Sequence, residues 1–235
     1  MGTSIPITDR SLLRLLTWLS PSFPVGAYAY SHGSEFAVES GQVTDRESAL
    51  SWTRFILEFG TGRIEADLFI AAFLNAEENN SQKFIELSRM ANALKSTAEL
   101  GLESRAQGEA FLSTVLAVWQ DENLMQFVNE LKNNAVPPSY VTVVAAAAAC
   151  AGIGLHAALG AYLHAFAGNI TSAIVRLVPL GQTDGQKIIA AIEPVIERAI
   201  QNAFERDPND MGSAAFNVDW MSMKHETQYS RLFRS

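Results

Sequence analysis

Val141-Thr-Val-Val-Ala-Ala-Ala-Ala-Ala-Cys-Ala-Gly-Ile-Gly-Leu-His-Ala-Ala-Leu-Gly-Ala-Tyr-Leu-His-Ala-Phe-Ala-Gly168 lies within the longest uncharged stretch of the chain. It carries no Asp, Glu, Lys or Arg and is long enough to cross a bilayer. It is built mainly from Ala and Gly, however, and is interrupted by His156 and His164, so its drive to insert is weak. Small side chains let helix backbones approach closely. The stretch therefore reads as a buried helix or helix pair, crossed tightly by its neighbours. A flat self-association face is the alternative use of the same small residues.

Outward from this centre the dominant period is helical. Leu12, Leu15, Leu16 and Leu19 fall at i, i+3, i+4 and i+7, as do Trp52, Phe55, Ile56 and Phe59, and Leu112, Val115, Leu116 and Trp119. Phe84, Leu87, Ala91 and Leu94 form another stripe, and Ile189, Ile192, Ile196 and Ala199 a further one. Each places apolar side chains on one face of a 3.6-residue helix. Thr44 with Glu47 and Thr183 with Gln186 have capping-box spacing, and Ser81 is placed to cap the Phe84 stripe. Pro194 sits inside the last long pattern and is expected to kink or split it. No alternating β-branched run is bounded by turn residues. Loops are expected at Ser20–Gly26, Val136–Pro138 and Asp207–Ser213. The expectation is a single all-α domain over residues 1–235, an irregular bundle of about eight to ten helices.

The bulk numbers narrow the function. Of 235 residues, 48% are hydrophobic and 18% charged, which suits a globular chain with a sizeable core. The net charge of −8 repels phosphate backbones and anionic lipid, so neither nucleic acid nor a membrane is an expected partner. A lone Cys150 allows no internal disulfide, and Met1–Arg10 lacks a basic start followed by an apolar run. A cytoplasmic protein is expected.

Catalytic and cofactor motifs do not assemble. There is no G-x-S-x-G elbow, no G-x-x-x-x-G-K-[ST] loop and no G-x-G-x-x-G after a strand. Gly181–Lys187 resembles a phosphate loop only in composition. His225-Glu226-Thr227-Gln228-Tyr229 starts like a zinc-protease motif, but Tyr229 stands where the second imidazole must be. Asp207, Asn209 and Gly212 lack the later oxygen ligands of a calcium loop. Cys150, His156 and His164 read as packing residues, and Glu35 with Glu39 as a solvated pair at i, i+4. The enzyme alternative is an unrecognised site using His32 with Glu35. Otherwise no enzyme, no cofactor and no metal site is expected.

The chain's last residues, 225–235, read as a docking tail. His225, Tyr229, Arg231, Leu232, Phe233 and Arg234 mix apolar anchors with cations, a composition suited to a groove with a charged rim. This ending resembles that of the urease accessory protein UreF family. So do two other segments, Leu12–Glu39, with Ser20-Pro-Ser-Phe-Pro-Val-Gly-Ala-Tyr-Ala-Tyr-Ser-His-Gly-Ser-Glu35 at its centre, and Ala173–Gln186. Glu103–Gly108 is a looser match. The chain departs from the family's usual pattern at Ala27, Ala29 and Ser34.

The resemblance implies an all-α homodimer that acts as a non-enzymatic adaptor in nickel delivery. Its partners are then the UreD (or UreH) scaffold, the GTPase UreG and apo-urease, with an action on the GTPase cycle of UreG and with nickel carried by the partners. On the residues that match, the tail (His225, Tyr229, Arg231, Leu232, Phe233, Arg234) is assigned to UreD, the alternative being that it packs back on its own domain. Tyr28, Tyr30 and Arg176 are assigned to the dimer or UreG side. A generic helical interaction module with a different client is the alternative.

Overall fold

The structure, a computed structural model, describes residues 9–235. The reading of the first residues as lacking a leader falls on 1–8, outside the described residues. Among the described residues there are only helices and connections. These are α1 (Asp9–Trp18), α2 (Ser34–Glu39), α3 (Arg46–Phe59), α4 (Thr61–Glu77), α5 (Ser81–Ala93), α6 (Ala98–Trp119), α7 (Glu122–Asn133), α8 (Tyr140–Cys150), α9 (Leu155–Leu177), α10 (Gln182–Glu205) and α11 (Phe216–His225). All but the six-residue α2 have ten residues or more. The expected all-α bundle is the fold.

The Ala-rich stretch is a helix pair. Helix α8 is its central member: every residue from Val141 to Ala148 is buried. It packs against α4 and α6 and touches α5, α7 and α9. The chain leaves α8 through Gly152, at φ +66°, a conformation that costs an L side chain strain and glycine none. Helix α9 then runs beside α10, which also lies along α3 and α4. By length and composition α9 is the one helix among the described residues that is apolar enough to cross a membrane, and half of its most apolar window is buried inside the bundle.

The core is one contiguous cluster. At one end Trp18 sets its ring edge-on to Phe111 (5.9 Å) and Trp119 (5.5 Å), an arrangement the aromatic quadrupole favours. In α1 the buried apolar side chains are Leu15 and Trp18, whereas Leu12, Leu13 and Leu16 are exposed. Only half of the sequence stripe is thus used inside the molecule.

Three cap assignments change. Helix α3 is capped by Asp45, not Thr44: its carboxylate accepts from the Ser48 backbone N–H at 2.8 Å, and the Ser48 hydroxyl takes the Asp45 N–H in return. A carboxylate one residue nearer the helix outcompetes the threonine hydroxyl. Helix α5 is capped by Asn80 rather than Ser81. Thr183 lies inside α10, which starts after Gly181 with no side-chain cap. Pro194 does not split α10, which continues through it.

Candidate docking site

Residues 226–235 leave α11 and fold back along a face made by the Ala27–Ala29 turn, Ser31–Glu35 and α6. Two successive left-handed residues, His32 (φ 55°) and Gly33 (φ 76°), turn the chain into α2. Gly33 is required twice. Besides its φ, a Cβ there would lie 3.0 Å from the backbone nitrogen of Ser222 on α11. Helix α2 can therefore lie close to α11 and bring Glu35 to His225. Ser34, a departure from the family's usual residue, is fully buried and accepts a hydrogen bond from the Trp52 indole N–H at 3.1 Å.

Three buried or nearly buried carboxylates receive the segment. His225, with no exposed surface, sits between two of them: Nδ1 is 2.6 Å from Glu99 Oε2 and Nε2 is 3.0 Å from Glu35 Oε2. Ionised carboxylates on both sides are satisfied when both ring nitrogens donate. Glu35 also accepts from the backbone N–H groups of Leu232 (2.6 Å) and Phe233 (2.9 Å). Glu99 takes the Arg231 guanidinium at 2.8 Å. Glu103 accepts from the Ser235 hydroxyl at 2.7 Å and lies 3.6 Å from His32 Nδ1. Burial alone would push the Glu103 carboxyl up, but the neighbouring His32 ring, with help from the Ser235 hydroxyl and Lys95, holds it below the usual carboxylate range.

Backbone contacts complete the seat. The Ser235 carbonyl accepts from the Ser31 N–H at 2.7 Å and from its hydroxyl, and the Arg234 N–H donates to the Ala29 carbonyl at 2.8 Å. The buried Phe233 ring lies under the Arg176 guanidinium, 4.4 Å from its centroid, a cation–π contact. Arg176 also donates to the Tyr28 carbonyl at 2.9 Å. Buried acids need donors, and here the segment supplies them.

The expected site residues thus divide by role. His225 and Phe233 are buried and hold the segment down, and Arg231 braces it on Glu99. Tyr229, fully exposed, and Leu232, 67% exposed, have their side chains in solvent, and Arg234 is exposed beside them. On α11, Phe216 (73% exposed) is stacked on Trp220 with centroids 6.4 Å apart, and Lys224 lies over the Trp220 ring at 4.7 Å. Of the second group, Tyr28 is 74% exposed and shares a contact with Arg176, whereas Tyr30 is buried.

Glu35 was missed as a site residue: it is not one of a solvated pair, since only Glu39 faces water. Glu99 was missed too, because nothing in its spacing marks burial. His32 and Glu35 do not act together: His32 bonds Thr61 at 2.9 Å and faces Glu103, while both Glu35 oxygens serve His225 and the segment. His156 packs flat on Phe204, His164 is exposed, and burial pushes the Cys150 thiol up to about 12.

Beside the seat a cleft of about 850 Å³ runs from the exposed leucines of α1 to a polar interior. There Glu65 accepts from Lys95 at 2.6 Å and from the Tyr162 hydroxyl at 2.8 Å, all three being buried or nearly so. Among the described residues no group of three or more His, Cys, Asp or Glu side chains is arranged to hold a metal ion.

Comparison with known proteins gives consistent findings. The UreF family model matches residues 43–193. A urease accessory protein UreF of Granulibacter bethesdensis is 43% identical over 228 residues, covering 97% of this chain and 95% of the relative. A namesake from Rhodopseudomonas palustris strain BisB5 is 42% identical over 227 residues, covering 97% and 92%. One from Bradyrhizobium diazoefficiens is 39% identical over 225 residues, covering 96% and 92%.

Proposed function

The chain belongs to the UreF family of urease accessory proteins, and on that premise we propose that it is a non-catalytic adaptor in the installation of nickel in urease. In this reading it works in the cytoplasm as a homodimer. It bridges a UreD/UreH scaffold and the GTPase UreG on apo-urease, acts on GTP hydrolysis by UreG, and leaves nickel to its partners.

One observation carries the reading: the segment after α11 is held down by His225, Arg231 and Phe233 while Tyr229 and Leu232 stand unpartnered in solvent. An ordered backbone that displays exposed apolar anchors loses little entropy when a partner covers them. Arg234, exposed in the same segment, supplies a cation. This side is assigned to the UreD scaffold. The exposed Leu12, Leu13, Leu16 and Tyr28, with Arg176 beside them, are assigned to the dimer or the UreG side. An aromatic and an Arg next to apolar surface are the usual anchors of such faces.

The test is co-purification with UreD of the full chain and of a chain ending at Ser230. The truncation keeps His225 and α11 intact. Loss of UreD from the shortened chain supports the assignment. Equal recovery of UreD with both chains removes residues 231–235 from that interface and favours a helical module with another client.

A further inference from the structure

The chain's other unexplained feature is a carboxylate with more partners than a structural role needs. Glu35 uses both oxygens on the two consecutive N–H groups of Leu232 and Phe233 and still holds His225. Consecutive donors impose a direction on the chain. From Leu232 to Ser235 the residues alternate exposed, buried, exposed, buried. Phe233 goes inward beneath Arg176 and Leu232 goes outward. A slip of one residue would invert that set, as it does for any segment with a period of two. The Arg176–Phe233 contact alone does not fix the register, because a slipped Leu232 would also fill an apolar slot. The two-pronged carboxylate does, since its oxygens can take only one adjacent pair of N–H groups at a time.

We propose that Glu35 is a positioning residue for partner recognition: it selects the Leu232–Phe233 pair and so determines that Tyr229 and Leu232 are the side chains displayed. The inference rests on the reading above, in which those side chains meet the scaffold partner. Its own content is the seat. Glu35→Gln keeps the shape but turns one acceptor into an N–H₂ donor facing a donor, so the pair can no longer be gripped.

Two measurements test it on the full chain. In hydrogen–deuterium exchange over residues 229–235, E35Q is expected to speed exchange about tenfold, the effect of losing a charge-assisted hydrogen bond. Should E35Q fail to fold, Leu232→Pro and Leu232→Ala decide instead. Both remove the side chain, but only the first removes the N–H that Glu35 holds, so exchange at Phe233 should rise in L232P and stay near the parent rate in L232A. Unchanged exchange in E35Q, or equal rates in the two Leu232 variants, overturns the seat.

The second measurement is affinity for the scaffold partner. E35Q should weaken binding about tenfold in the full chain and cause little further loss in a chain already carrying Tyr229→Ala and Leu232→Ala. An equal loss in both backgrounds means that Glu35 acts through general stability, and the inference fails. If the Tyr229→Ala, Leu232→Ala pair itself costs no affinity, the proposed interface fails, while the exchange result still reports on the seat.

Discussion

His225 shows how much depends on single side chains here. Its ring is enclosed and flanked by Glu35 and Glu99, so replacing it with Ala leaves two carboxylates facing each other without a donor between them. We expect His225→Ala to cost about 3 kcal/mol, read as a lower midpoint in urea unfolding, because stranding buried charge costs more than the lost contact. Glu103 gives a second prediction, with a sign fixed by its depressed pKa. A carboxyl held below its ordinary value adds stability above that value and loses it as pH falls through the folded one. The stability difference between the parent and Glu103→Gln should therefore be full near neutrality and shrink steadily below pH 4.5, the ordinary value for this group. Sequence gave access to the donor side of this site, since His225, Arg231 and Phe233 are chemically conspicuous. The acceptor side was hidden. Glu35, four residues before Glu39, has the spacing of a solvated helix face, and only the left-handed turn at His32 and Gly33 carries it inward against α11.

Among the elements, α8 is the one whose role follows most directly from composition. Its alanines bury little area each, so its contribution lies in how closely α4 and α6 can approach. Ala146→Leu should therefore destabilise rather than stabilise, by about 1–3 kcal/mol in thermal or chemical unfolding, since extra methylenes have no space to occupy. The helical period was readable from the apolar stripes, whereas the break between α8 and α9 was not, because its glycines read equally well as sites of close helix approach. Cap positions were not, because several hydroxyls and carboxylates lie within one residue of each helix start and the winner depends on backbone angles. Asp45 over Thr44 and Asn80 over Ser81 are instances. The burial of α1 was also only half legible. Its leucine stripe predicts a face but not what covers it, and inside this chain Leu12, Leu13 and Leu16 are left uncovered.

For the whole molecule, the fold acts as a rigid frame that puts a short segment on display. The bundle supplies an acidic seat from α2 and α6, the segment supplies the donors, and the alternation of its side chains leaves Leu232 outward, with Tyr229 exposed before it. Tyr229 and Leu232 can be changed without disturbing the core, since both side chains lie in solvent. The decisive measurement is the affinity of UreD for the chain carrying Tyr229→Ala and Leu232→Ala together, by calorimetric titration, with circular dichroism to confirm an unchanged fold. The expected loss is about 2–4 kcal/mol, roughly 30- to 1000-fold, as for anchors at the centre of an interface. An unchanged affinity in a folded double variant would mean that these side chains do not meet the partner.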